Sequence, residues 1–178
     1  MLYVVACAAP AASTVQTFVS LAKEQGWRVF VVGTPDARSF LDAPAVEAVT
    51  GDPIRVGYRM PGEPKALPLA DAVVVAPATF NTINKWAMGV ADNFAVALLC
   101  ELTGFRVPTL AVPLLKDALA RHPAFPRNLD TLRAMGVKVL FDPSAPREQR
   151  MPCWDRVLAE LKTMIDDRST GGEEHGHA

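Results

Sequence analysis

Short polar side chains follow an apolar run near the middle of this 178-residue chain. Residues 72–76 read AVVVA, and three consecutive β-branched residues favour a strand that is buried on both faces of a parallel sheet. Pro77 is predicted to end the strand, because it has no N–H for the ladder. The small residues Ala78 and Thr79 come next. They would let a ligand approach the backbone at the carboxyl end of the strand, where open α/β sheets bind their ligands.

Hydroxyl and amide groups supply the hydrogen-bonding chemistry of this segment. Thr79, Asn81 and Thr82 place three short polar side chains between the strand and a helical pattern that includes Ile83. These groups could hold a polar ligand in the crevice. Threonine and asparagine are also common helix N-caps, and spacing alone does not separate the two interpretations.

The motif PATFNT at 77–82, followed by INKWAMGVADN at 83–93, resembles a known signature. It is similar to PASANT and the downstream GxADN of the homo-oligomeric flavin-containing cysteine decarboxylases. That superfamily includes phosphopantothenoylcysteine decarboxylase and the peptidyl-cysteine decarboxylases of lantibiotic pathways. The resemblance implies FMN as the cofactor, a homotrimer or a dodecamer of trimers, and a small-molecule or peptide substrate of unknown identity. The cofactor-binding residues that it implies in this segment are Ala76, Pro77, Ala78, Thr79, Asn81 and Thr82.

The resemblance also implies a phosphate site at the ends of the first two strands. The first turn reads AAPAAST at 8–14, where the family commonly has glycines with a serine or threonine to hold phosphate on backbone amides. Ser13 or Thr14 could supply the hydroxyl here, although Pro10 removes one amide, and Ser13 is the candidate phosphate ligand, with helix capping as its alternative role. Thr34 follows the strand predicted over 27–32. A hydroxyl at this place touches the flavin phosphate in the family, and Thr34 is also the predicted N-cap of a helix that begins at Pro35.

Two catalytic positions of the family differ in this chain. The family's histidine base lies a few residues before the central strand, and its counterpart here is Glu63, in the Pro- and Gly-rich segment 52–68. The family's asparagine that holds the substrate carboxylate corresponds to Lys116. Lys116 could pair with a carboxylate as a point charge, or it could be a solvated surface residue. Glu63 and Lys116 are therefore the candidate catalytic residues of a divergent member that lacks the catalytic histidine.

Composition excludes several classes of partner. A net charge of −1 gives no basis for binding nucleic acid or an anionic membrane. No apolar run approaches the roughly 18 residues that would span a bilayer, and the N-terminus lacks the pattern of a signal peptide, which predicts a cytoplasmic protein. Cys7, Cys100 and Cys153 do not have the spacing of a disulfide framework or a zinc site, so no metal is predicted.

Strands that alternate with helices predict a three-layer α/β fold with a doubly wound parallel sheet of flavodoxin-like type. The absence of G-x-G-x-x-G after the first strand argues against NAD. We expect a single flavoprotein domain over 1–166, with a last helix over 155–165, and a disordered tail over 167–178. The predicted strands are 2–7, 27–32, 72–76, 109–112 and 137–141.

These observations favour an FMN-binding flavoprotein of the cysteine-decarboxylase superfamily, acting as a flavin-dependent redox enzyme or lyase with altered chemistry. The alternative is a non-catalytic FMN-binding regulatory or partner subunit, which would tolerate the loss of the base and of the carboxylate anchor. The two hypotheses differ in whether Glu63 and Lys116 face the flavin.

Overall fold

Five parallel strands form one sheet in the order β2-β1-β3-β4-β5. The computed structural model describes residues 1–60, 62, 67–146 and 149–171. The predicted doubly wound α/β sheet is confirmed. Its strands are β1 (Leu2–Ala6), β2 (Val29–Gly33), β3 (Ala72–Ala78), β4 (Thr109–Pro113) and β5 (Lys138–Val139).

Helices cover both faces of the sheet and make the three layers. One face packs against α1, α2 and α7, and the other face packs against α3, α4 and α6. Two short 3-10 helices, Pro10–Thr14 and Pro35–Ser39, follow β1 and β2. The α-helices are α1 (Val15–Glu24), α2 (Ala43–Thr50), α3 (Phe80–Ala87), α4 (Phe94–Gly104), α5 (Asp117–Ala120), α6 (Ala124–Ala134) and α7 (Trp154–Gly171).

Strand β1, which pairs with β2 on one edge and β3 on the other, sets the position of the ligand crevice. Leu2 is in register with Val29 of β2 on one side and with Ala72 of β3 on the other. The chain therefore first crosses from β1 to β2 and then returns to the opposite side of β1. The carboxyl ends of β1 and β3 form the point where the direction of winding changes, which is where open α/β sheets bind ligands.

The prediction that Pro77 ends the central strand is wrong. β3 continues to Ala78, which is in register with Pro113 of β4 after a shift in pairing beyond Val75. A proline lacks the backbone donor but keeps its carbonyl acceptor. The Pro77 carbonyl accepts a hydrogen bond from the Cys7 amide at 3.0 Å, so the ladder to β1 extends past the proline.

Two boundaries at the C-terminal side also differ from the prediction. Helix α7 runs to Gly171, so residues 167–171, which were predicted to be in the disordered tail, are helical. No glycine or proline interrupts the helix before Gly171, and Arg168 Nη1 donates to the Arg106 carbonyl at 2.8 Å. Residues 172–178 lie outside the described residues. Strand β5 has only two residues and is shorter than the predicted strand over 137–141.

Candidate functional site

A chain of hydrogen bonds ties the end of β1 to the start of α3. The Cys7 thiol donates to the Thr82 hydroxyl at 3.2 Å, and the Thr82 oxygen lies 3.2 Å from the Thr79 hydroxyl. Cys7 is fully buried, and this burial raises the pKa of its thiol, which keeps the group neutral. The Thr82 side chain is also buried and already bonded to Cys7. It fixes α3 against β1, and its backbone amide is the group that remains for a ligand.

The first turn of α3 presents backbone donors toward the crevice. Thr79 is the N-cap residue, but its side chain makes no capping hydrogen bond. The first amides of a helix have no acceptor within the helix, so those of Phe80, Asn81 and Thr82 point out of its end. No acidic residue lies in this turn, which leaves the partial positive charge of the helix end uncompensated. The exposed Asn81 side chain adds an amide at the same place.

The two predicted phosphate residues follow neighbouring strand ends. Thr34 comes directly after β2, is 8% exposed, and donates its backbone N–H to the Ala6 carbonyl of β1 at 3.0 Å. It occupies the predicted N-cap position, yet its hydroxyl makes no capping bond. Ser13 is exposed in the 3-10 helix after β1, and its hydroxyl donates to the Pro10 carbonyl at 2.8 Å. A phosphate accepts hydrogen bonds, so Thr34 could donate its hydroxyl to one directly, whereas Ser13 would first have to give up its bond to Pro10.

The other predicted cofactor residues of β3 would act through their backbone. Ala76 and Ala78 are fully buried, and Pro77 is buried between them. Their side chains pack into the two apolar layers, since Ala76 and Ala78 belong to opposite faces of the sheet. The small volume of these residues lets a ligand come close to the backbone at the carboxyl end of β3.

The downstream half of the motif builds the connection between α3 and α4. Lys85 forms an ion pair with Asp92, and its hydrogen bond lowers the pKa of the Asp92 carboxyl. The Asn93 side chain caps α4 by accepting from the Val96 amide at 3.1 Å. Gly89 adopts a positive φ of 69° after the end of α3. These contacts give the motif residues a structural role.

Of the two predicted catalytic residues, Glu63 and Lys116, the structure describes only Lys116. Glu63 lies outside the described residues. Lys116 is exposed and precedes α5, and its side chain makes no hydrogen bond or ion pair within the part of the chain that the structure describes. Its neighbour Asp117 pairs instead with Arg150. Both roles suggested for Lys116 stay predictions.

Sequence analysis missed a histidine beside the first residue of α3. The imidazole of His122 packs edge-on against the ring of Phe80, with ring centroids 5.6 Å apart and planes at 81°. Phe80 also stacks on Phe125 at 6.1 Å. The sequence signal was slight, because α4, β4 and α5 all lie between Phe80 and His122 along the chain, and the histidine precedes a proline at a helix start.

A second missed feature is a pair of asparagines that links α6 to α3. Asn128 Nδ2 donates to Asn84 Oδ1 at 2.6 Å, and Asn84 Nδ2 donates to the Phe80 carbonyl at 2.8 Å. Asn128 is only 4% exposed. This network holds the first turn of α3 from the side opposite to Cys7.

Comparison with known proteins shows which family this chain belongs to. The model of the family described as Flavoprotein matches residues 2–166 of the chain. The chain belongs to the Flavoprotein family. Membership implies a flavin cofactor and agrees with the predicted resemblance to flavin-containing decarboxylases.

Among curated relatives, this flavoprotein is similar to the coenzyme A biosynthesis bifunctional protein CoaBC of Mycobacterium bovis. The two are 38% identical over 128 residues, which is 70% of this chain and 30% of the relative. The chain thus spans less than a third of the length of that bifunctional protein. A probable phosphopantothenoylcysteine decarboxylase of Streptococcus mutans is 25% identical over 149 residues, covering 79% of this chain and 80% of the relative.

Solved structures give the same architecture. The FMN-dependent cysteine decarboxylase SpaF is 26% identical with a TM-score of 0.68, covering 78% of this chain and 82% of SpaF. MrsD from Bacillus sp. has a TM-score of 0.76 at 21% identity, covering 92% of this chain and 95% of MrsD. The likeness to MrsD supports the flavodoxin-like fold alone.

The donor set of the flavoprotein fits a flavin at the ends of β1 and β3. The uncapped first turn of α3 and the Thr34 hydroxyl suit a phosphate, which binds to backbone amides and hydroxyl donors, and Ser13 suits it once its hydroxyl turns away from Pro10. Among the described residues, no group of three histidine, cysteine or carboxylate side chains is placed to hold a metal ion. No helix in the described ranges is long and apolar enough to cross a membrane.

A cavity of about 860 Å³ lies away from this crevice. It is lined by residues at the C-terminal ends of α3, α4 and α6, among them Trp86, Gly104 and Ala134. Helix C-termini carry partial negative charge, but Arg106 and Arg168 also line the cavity, so charge does not separate the two places. The crevice at the ends of β1 and β3 is the better candidate for the flavin because the winding of the sheet changes direction there.

Proposed function

We propose that this flavoprotein binds FMN non-covalently in the crevice at the carboxyl ends of β1 and β3. The observation that carries the proposal is the hydrogen-bonded junction of Cys7, Thr82 and Thr79, which places the first amides of α3 beside the end of β1. In this proposal the first turn of α3 and Asn81 bind the cofactor together with the backbone of 76–78. Ser13 and Thr34 bind its phosphate.

The proposed activity is that of a flavin-dependent redox enzyme or lyase with altered chemistry. FMN supplies two-electron chemistry once it is bound. The similarity to CoaBC, a protein of coenzyme A biosynthesis, and to SpaF, a cysteine decarboxylase, supports a substrate related to cysteine. Lys116, at the position of the family's asparagine, would meet a substrate carboxylate as a point charge rather than as an amide.

The cofactor is tested by denaturing the purified protein and identifying the released chromophore by chromatography. We expect FMN, or FMN uptake when the protein is isolated without it. Asn81→Ala should weaken FMN binding about tenfold, equivalent to about 1.4 kcal/mol, because it removes one side-chain amide from the crevice. Thr163→Ala, an exposed change on α7, is the matched control and should leave FMN binding unchanged. Finding neither flavin nor uptake would refute the proposal.

The chemistry is tested with two cysteine substrates, phosphopantothenoylcysteine and a peptide that ends in cysteine. We expect no measurable release of carbon dioxide. An ionised Glu63 at about 4 Å would repel a substrate carboxylate by roughly 1 kcal/mol or more. The resemblance also gives this chain no imidazole at the position of the family's base. Flavin bleaching by another small thiol is the expected positive result. Carbon dioxide release that disappears in Glu63→Gln would instead assign Glu63 as the base.

The alternative function, a non-catalytic FMN-binding partner subunit, predicts a different outcome of the same assay. The observation that favours it is the replacement of the family's histidine and asparagine by Glu63 and Lys116, a loss that a binding subunit would tolerate. A protein that binds FMN tightly but whose flavin is not bleached by any candidate thiol would support this alternative.

The proposed assembly is a homotrimer or a dodecamer of trimers. A surface groove of about 550 Å³ lies between α4 and the segments around Tyr58 and Leu69. Tyr58, Leu69 and Phe105 are large apolar side chains that are exposed there, which is typical of a surface that another subunit covers. Light scattering should report at least three copies, and a flavin-loaded monomer would exclude this assembly.

A further inference from the structure

His122 lies at the same edge of the sheet as the PATFNT motif. The end of β4 is hydrogen-bonded to the end of β3, because the Leu114 amide donates to the Ala78 carbonyl at 2.8 Å. The chain then forms α5 and reaches His122, whose ring contacts Phe80, the first residue of α3. The imidazole is thus adjacent to the helix end that carries the candidate cofactor donors.

Two contacts fix the orientation of the imidazole. The Nδ1 atom accepts a hydrogen bond from the Ala124 amide at 3.2 Å, and the ring face is set by the edge-on contact with Phe80. A neutral imidazole with Nδ1 as acceptor carries its proton on Nε2. The residue is exposed, and Nε2 has no partner within the described ranges of the chain. Nε2–H is therefore a donor that is held in place and available to a ligand.

The charges around His122 favour an anionic group. Lys116 stands at the start of α5, and its side chain has no partner in the described part of the chain. Asp117, the carboxylate between Lys116 and His122, is paired with Arg150. The segment after β4 therefore presents a cation and an imidazole donor, while its carboxylate is already neutralised by an arginine.

We propose that His122 binds a carboxylate of the substrate through Nε2–H, beside the flavin. This inference rests on the proposed function and names the chemical class that the site selects, a small thiol that bears a carboxylate. Lys116 supplies a positive charge at the other end of α5. His122 provides a hydrogen-bond donor at this position and does not replace the base that the family places before the central strand.

The first test uses the imidazole resonances of the FMN-loaded full-length protein under anaerobic conditions. 3-Mercaptopropionate is the probe, and 2-mercaptoethanol is the matched thiol without a carboxylate. We expect 3-mercaptopropionate to shift the His122 Nε2 signal, and 2-mercaptoethanol to leave it unchanged. His175 and His177 provide internal controls that should not respond, and the His122 signal is assigned by its loss in His122→Gln. An unshifted His122 signal at saturating 3-mercaptopropionate overturns the proposal.

The second test measures the affinity for 3-mercaptopropionate by titration of the flavin spectrum. His122→Phe keeps an aromatic ring against Phe80 but removes the donor, so affinity should fall about tenfold, whereas His122→Gln, which retains an N–H group, should lose less. Arg121→Gln, a neighbouring exposed change, is the control and should leave affinity within twofold. Equal affinity of His122→Phe and the wild type, or no binding of the probe to the wild type, overturns the proposal. FMN affinity should be the same in all variants, because none of these residues is proposed to contact FMN. If the wild type fails to take up FMN, that result refutes the proposed function and not the role of His122.

Discussion

The asparagine pair that joins α6 to α3 allows a quantitative prediction about stability. In Asn128→Ala the Asn84 side-chain oxygen loses its donor, which lies 2.6 Å away in the native protein. Removing one partner from a buried hydrogen bond costs about 1–3 kcal/mol, and the half-buried position of Asn84 places the expected loss near about 1.5 kcal/mol. Asn128→Asp should cost more, about 3 kcal/mol, because a carboxylate would then face the Asn84 oxygen.

A double-mutant cycle isolates the contact between the two amides. Asn84→Ala removes both the bond to Asn128 and the bond to the Phe80 carbonyl. If the amides interact as the geometry indicates, the double variant should be less destabilised than the sum of the single variants by about 1 kcal/mol. Urea denaturation measures each free energy of unfolding, and an unchanged dependence on urea concentration shows that the unfolded state is the same.

The control for this series is Asn81→Ala, because Asn81 is exposed on the same helix. Its free energy of unfolding should stay within about 0.5 kcal/mol of the wild type, as for most surface changes. The reasoning is refuted if Asn128→Ala is equally neutral, or if the cycle gives no interaction energy. Together with the FMN titrations, the series separates residues that hold α3 in place from residues that contact the cofactor.

Three further predictions concern ionisation, a buried arginine and thiol reactivity. Burial raises the pKa of Tyr3 from 10.0 to about 12, so the tyrosine ionises at lower pH in the unfolded state than in the folded state. Its contribution to stability is complete below about pH 10 and is lost as the pH rises toward 12, and Tyr3→Phe should flatten this loss in urea titrations between about pH 10 and 12. The Arg150 side chain is 7% exposed, donates to the Ala145 and Pro143 carbonyls and pairs with Asp117. Arg150→Gln should therefore lower the free energy of unfolding by about 2 kcal/mol. A change below about 0.5 kcal/mol would show that these contacts do not stabilise the fold. Maleimide labelling followed by mass spectrometry should modify exposed Cys153 first, half-buried Cys100 later and buried Cys7 only on unfolding, and early labelling of Cys7 in the native protein would contradict its burial.

The strands were predictable because their residues carry the signal locally. Apolar β-branched runs mark β1, β2 and β3, and each is buried along its whole length. The error at Pro77 arose from considering only the missing donor. The Pro77 carbonyl accepts a hydrogen bond from the amide of Cys7, which directly follows β1. Because Cys7 is far from Pro77 along the chain, no local sequence pattern could show that the strand continues.

The candidate site was predictable in part for the same reason. The motif placed Thr79, Asn81 and Thr82 at a strand end, and the structure puts them there. That the Thr82 side chain is buried against Cys7 depends on a tertiary contact. The position of His122 beside Phe80 also depends on how α5 returns toward α3. A histidine flanked by arginine and proline gives no such information in the sequence.

The pairing of β1 on both of its edges affects how the chain reaches its fold. Pairing Leu2 with Ala72 closes a much longer loop than pairing Leu2 with Val29. The entropic cost of the longer closure is greater by about 0.8 kcal/mol for a flexible chain. During synthesis, β1 is made first and can pair with β2 early, but its other edge stays unpaired until β3 has emerged. For that interval the nascent chain exposes an apolar strand edge, LYVVA, of the kind that pairs with other chains, so prompt synthesis of residues 72–78 protects the protein from aggregation.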